Sequence, residues 1–70
     1  MSIRLNPDVL EQIMEQNNNN FSAVARKIGV ERSTLWRIVG KKGSAGNDFI
    51  QKFKVAFPEI SLDDAFFMEK

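Results

Sequence analysis

The chain has no cysteine and no histidine. Those two absences exclude disulfides, thiolate chemistry, most zinc sites and the usual general base near neutral pH. They leave the redox compartment open. Long apolar runs are missing as well. No window approaches the ~20 apolar residues of a membrane span, and Met1-Ser2-Ile3-Arg4-Leu5-Asn6-Pro7 lacks the apolar core of a signal peptide. A soluble cytoplasmic protein is expected. No polar spacer divides the 70 residues, so a single compact domain spanning 1–70 is expected. A domain this short buries only about 60% of the surface its unfolded chain exposes, which leaves no room for a large enclosed active site. An enzyme is poorly supported: there is no phosphate-binding loop, the serines lack an identifiable base, and Asp63 and Asp64 are adjacent rather than facing one another. The sequence implies no cofactor, no metal and no small-molecule substrate.

Net charge is +1, which on its face suggests indifference to polyanions. Its distribution is uneven. From Phe21 to Lys54 stand Arg26, Lys27, Arg32, Arg37, Lys41, Lys42, Lys52 and Lys54, against Glu31 and Asp48 only. The flanks are acidic, with Asp8, Glu11 and Glu15 before this stretch and Glu59, Asp63, Asp64 and Glu69 after it. A basic centre between acidic ends is the footprint of a polyanionic partner such as DNA, although an ordinary solvated surface gives the same count.

Helical signals recur and strand signals do not, which predicts an all-α, compact five-helix domain. Asn6 caps the first helix, with Pro7 at its first position and Asp8 near its positive end. Val9, Leu10, Ile13 and Met14 share one face, Asn17 to Asn20 end the helix, and Asn20 can also cap the next one. A second helix carries Phe21, Val24, Ala25 and Ile28 inward and closes at Gly29, the residue that enters the left-handed conformation most cheaply. After a turn at Gly29-Val30-Glu31, a third helix from about Arg32 to Val39 buries Leu35, Ile38 and Val39 and leaves Arg32, Ser33, Trp36 and Arg37 largely outside. Residues 40–46 read as a flexible basic loop. A fourth helix, capped by Asn47 or nearby, sets Phe49, Ile50, Phe53, Ala56 and Phe57 on one face and stops at Pro58. Ser61-Leu62-Asp63-Asp64 matches a capping box and opens a fifth helix through Ala65, Phe66 and Phe67. A core this small hardly buries all of Phe49, Phe53, Phe57, Phe66 and Phe67, so one or two of Phe66, Phe67 and Met68 are expected to face a partner subunit.

The most informative stretch is Phe21 to Gly40. In a helix-turn-helix the two helices cross steeply, so the fifth residue must be small and the ninth must accept a positive φ. Ala25 and Gly29 satisfy both requirements. Val24, Ile28, Val30, Leu35 and Ile38 fill the apolar places around them. With these residues the sequence resembles the lambda-repressor/Cro-like (XRE) family of helix-turn-helix regulators. The resemblance extends to the tail, where Phe49-Ile50, Ala56-Phe57-Pro58 and Ser61-Leu62-Asp63-Asp64 look like that family's fourth and fifth helices. Ser33-Thr34-Leu35-Trp36-Arg37 also looks like the DNA-binding tips of enhancer-binding regulators, which end soon after their third helix. Where the repressor-like family often places a phosphate-touching Gln, this chain has Phe21. The resemblance implies a sequence-specific transcriptional regulator of phage or mobile-element type, a repressor acting by promoter occupancy.

Independently of family, an α-helix fits the major groove of B-DNA, and its N-terminal residues reach base edges. Arg32, Ser33 and Arg37 are the candidates for base edges. An arginine gripping guanine O6 and N7 is worth ~1–3 kcal/mol of discrimination. Thr34, Lys41 and Lys42 are candidates for the DNA backbone. Trp36 is placed with them, either leaning on sugar-phosphate or thymine methyls or covering the edge of the core. Glu31 either caps the third helix or accepts from a cytosine amino group. Double-stranded DNA is the expected partner, bound by a homodimer because one recognition helix reads too few base pairs. The competing reading is a protein-interaction module, an anti-repressor or adaptor, on the same fold without DNA binding.

Overall fold

Asn6 starts the first helix, accepting from the Asp8 N–H at 2.9 Å, with Pro7 at the first helical position. Helix α1 (Pro7–Gln16) turns Val9 and Ile13 inward and ends in the asparagine run. Asn17 donates from its side chain to the Ile13 carbonyl at 2.8 Å. Asn18 and Asn19 take φ values of 57° and 56°, a region asparagine enters more readily than most residues. Asn20 then caps α2 (Phe21–Ile28) by accepting from the Ala23 N–H at 3.0 Å. The computed structural model describes residues 2–40 and 43–69. Within them α3 (Arg32–Val39), α4 (Asn47–Ala56) and α5 (Leu62–Ala65) complete the helices. The Ser61 hydroxyl caps α5, accepting from the Asp63 N–H at 3.2 Å, two residues on rather than three. Among the described residues no helix is long and apolar enough to cross a membrane.

The expectation of an all-α chain needs correction. Strands β1 (Ser2–Leu5) and β2 (Phe66–Glu69) pair antiparallel, with Ser2 opposite Glu69, Ile3 opposite Met68, Arg4 opposite Phe67 and Leu5 opposite Phe66. Helix α5 therefore ends at Ala65, and Phe66 and Phe67 belong to a strand. The physical reason lies in alternation. Successive strand residues point to opposite faces, so β2 sends Phe66 onto the core and Phe67 away from it, whereas a continuing helix offers no such division. Phe66 meets Phe53 edge-on at 5.2 Å between ring centroids and Phe49 at 6.2 Å. Phe67 and Met68 are exposed.

The core lies beneath this ribbon, where Leu5, Ile13, Val24, Leu35, Phe49, Phe53 and Phe57 are buried. Three of the five candidate core phenylalanines, Phe49, Phe53 and Phe57, are thus interior, Phe66 is half-buried and Phe67 is outside. Helix α4 starts from Gly46 with no side-chain cap, so Asn47 is its first residue rather than its cap.

Part of the expected flexible loop at 40–46 is pinned among the described residues. The Gly43 N–H donates to the Gly40 carbonyl at 3.1 Å, the Ala45 N–H donates to the Ile3 carbonyl at 2.7 Å, and Ala45 is buried. Gly43 lies flat against the end of α3. A Cβ there would collide with the Arg37 carbonyl oxygen and stand 2.6 Å from that of Ile38. Both obstacles are backbone, so they cannot swing aside. Gly43→Ala is therefore expected to lower the unfolding free energy by about 1–3 kcal/mol, the usual penalty of overpacking, as read from urea titration followed by circular dichroism. Ser44→Ala, at an exposed neighbour, leaves the midpoint nearly unchanged.

Candidate nucleic-acid interface

Helix α2 ends where Gly29 takes φ 97°, a left-handed conformation that any side chain would strain. The N–H groups of Gly29 and Val30 both donate to the Ala25 carbonyl, at 2.9 and 3.0 Å, and close the helix end. The chain then leaves in a new direction, and α3 begins two residues later. Ala25 is almost wholly buried, as are Val24 and Leu35, so α2 and α3 meet through small and branched side chains. The sequence pattern around Ala25 and Gly29 is realised in this turn.

The packing fixes the outer face of α3. Leu35 and Ile38 are buried, Thr34 and Val39 are half-buried, and Arg32, Ser33, Trp36 and Arg37 are exposed. Four of the seven candidate residues therefore share one open face, while Thr34 sits at its margin. Lys41 and Lys42 lie outside the described residues. Neither Arg32 nor Arg37 is in an ion pair among the described residues, whereas Lys52 is held by Asp48 at 3.3 Å and Lys27 lies over the Phe57 ring, 5.0 Å from its centroid. Glu31 occupies the N-cap position of α3, but its side chain makes no capping hydrogen bond. The capping role open to Glu31 is not realised, and the first N–H groups of α3 have no side-chain cap.

Residues 7–37 match the family model described as "Bacterial regulatory protein, Fis family". The chain carries the helix-turn-helix of a DNA-binding regulator. The matched segment covers α1, α2 and most of α3, and leaves α4, α5 and β2 outside. No curated protein and no solved structure matches the chain.

Two contributors to the helix-turn-helix escaped the reading of the sequence. Phe21, placed there among the core residues, is half-buried and meets the Trp36 ring edge-on, 5.7 Å between centroids at 82°. Arg4, given no structural role there, donates from Nη2 to the Gly40 carbonyl at 2.6 Å and lies 3.8 Å from Glu69 Oε1. The end of a helix carries unpaired carbonyls and a partial negative charge, so a guanidinium there satisfies both. Arg4 thus ties the C-terminal end of α3 to the strand ribbon. The alternation in Ser2-Ile3-Arg4-Leu5 was the available signal, and it is short. Because the Arg4 side chain is only 14% exposed, this bond is little weakened by water. Arg4→Gln is expected to lose about 1–3 kcal/mol of stability, in the range of hydrogen bonds made by charged groups. Amide hydrogen exchange in the last turn of α3 should rise more than in α1. Equal protection in both helices would show that Arg4 does not hold α3.

Proposed function

We propose that this chain is a sequence-specific binder of double-stranded DNA that inserts α3 into the major groove and regulates transcription as a repressor. The observation that carries this reading is the open face of α3, where Arg32, Ser33, Trp36 and Arg37 stand together within a helix-turn-helix frame. Arg32 and Arg37 supply guanidinium groups able to grip guanine, and Ser33 is an adaptable donor and acceptor. Thr34, Lys41 and Lys42 serve the phosphate backbone, together with the uncapped first N–H groups of α3.

The lambda-repressor/Cro-like assignment belongs to this proposal. It rests on the chain beyond residue 37: α4 with its phenylalanine stripe, then α5 behind a serine cap, two helices that the enhancer-binding type of DNA tip lacks. Residues 1–70 act as one DNA-binding domain, and the mechanism needs occupancy of a promoter rather than catalysis. A homodimer on DNA completes the reading, its half-sites about one helical turn apart. The exposed Phe67 and Met68 are the candidate contact between copies. The phage or mobile-element setting rests on resemblance and size.

Fluorescence-anisotropy titration of a randomised duplex pool at two salt concentrations, with sequencing of the bound fraction, tests this proposal. One motif should be enriched, in paired half-sites, and the Arg32→Ala/Arg37→Ala double variant should lose it. Each arginine that meets phosphate should also reduce the salt slope by about one. Binding that is steep in salt but without enrichment leaves only phosphate attraction. A folded protein that ignores DNA at low salt overturns the proposal in favour of a protein-interaction module.

A further inference from the structure

The order of residues around α3 gives Trp36 a place between the two arginines, among the side chains that face outward. At about 100° per residue, the exposed arc runs Arg32, Trp36, Ser33, Arg37, opposite the buried Leu35 and Ile38. Trp36 and Ser33 occupy the middle of that arc, and the two arginines flank it. A helix lying in the major groove turns the middle of its outer face toward the base edges, which long side chains such as arginine also reach from the flanks. Trp36 is thus directed at bases.

The chemistry of the ring agrees with that position. An indole has one N–H donor, no acceptor and no charge, so it is a poor phosphate ligand and a good apolar platform. The apolar feature that a base pair offers in the major groove is the pyrimidine C5-methyl, present on thymine. Trp36 is 68% exposed, so the ring does little to cover the core. One exposed aromatic is unexceptional alone. This one is braced: Phe21 stands edge-on to it from the start of α2, and Glu31, Arg32, Ser33 and Trp36 line a shallow concavity in which the small Ser33 leaves room beside the indole. Bracing before contact reduces the ordering entropy lost on binding.

Resting on the DNA-binding reading above, we propose that Trp36, held by Phe21, packs on the C5-methyl group of a pyrimidine and so determines specificity at one position of each half-site. The residue at position 21 then acts through Trp36 instead of touching phosphate. Thymine and 5-methylcytosine carry the same methyl, and both are readable by this pair.

The test uses the full chain and duplexes recovered from the randomised pool. Each thymine is replaced singly by deoxyuridine, which removes the methyl and leaves the pairing and all hydrogen-bonding groups intact. At one position per half-site the affinity is expected to fall roughly fourfold, the worth of burying one methyl group. Trp36→Ala should abolish that difference, Trp36→Phe should keep part of it, and circular dichroism verifies the fold of each variant. At the same position a 5-methylcytosine·guanine pair should bind better than a cytosine·guanine pair. Whichever methylated pair, thymine·adenine or 5-methylcytosine·guanine, binds more tightly identifies the source of the methyl. If every deoxyuridine duplex binds as tightly as its thymine parent, the methyl contact is overturned while DNA binding stands. A uridine penalty unchanged in Trp36→Ala overturns it too, because another group then reads the methyl. Loss of binding to all duplexes overturns this inference together with the reading on which it rests.

Discussion

Antiparallel pairing of residues 2–5 with 66–69 closes the chain on itself, and from that ribbon much of the remaining structure is held. Its inner side sets Leu5 and Phe66 over the aromatic stripe of α4. Its outer edge on the β1 side is occupied by the Ala45 N–H. Arg4, at the middle of β1, reaches the carbonyl that ends α3. A chain of this size has few buried side chains with which to orient a helix, so a polar tie at the helix end matters more than it does in a larger protein. The two segments furthest apart in sequence thereby fix the element that lies between them.

Beneath the ribbon one side of the core is built from phenylalanine. Phe49, Phe53, Phe57 and Phe66 approach in tilted and edge-on pairs between 5.1 and 6.3 Å apart. Such geometries suit the ring quadrupole better than a face-to-face stack. Long rings let a short helix reach both α2 and the ribbon, and Lys27 lies over the face of one of them, Phe57. The outer face of α3 gains from this arrangement because its own inner residues, Leu35 and Ile38, need only fill the remaining space.

Helix starts and the turn were legible in the sequence because their causes are local. Asn6, Asn20 and Ser61 cap through bonds spanning two or three residues, and Gly29 meets a backbone requirement of its own position. Four members of the candidate interface, Arg32, Ser33, Trp36 and Arg37, emerged from the period of one helix. The ribbon was not legible. Ser2-Ile3-Arg4-Leu5 alternates over only four residues, and Phe66-Phe67-Met68 continues a helical start without a breaker, so only contacts more than sixty residues apart decide in favour of strands. Gly43 was missed for a similar reason: its requirement is a close approach to the end of α3, not a dihedral angle. Arg4 and Phe21 each act on α3 from elsewhere in the chain, which composition and spacing do not record.

Trp36 is the only tryptophan in the chain, and it sits on the outer face of α3 rather than in the core. The intrinsic fluorescence of this protein is consequently a probe of that face alone. Its emission starts from a largely hydrated indole whose aromatic neighbour is Phe21, so the signal follows the junction of α2 and α3 and whatever covers it, and not the phenylalanine interior.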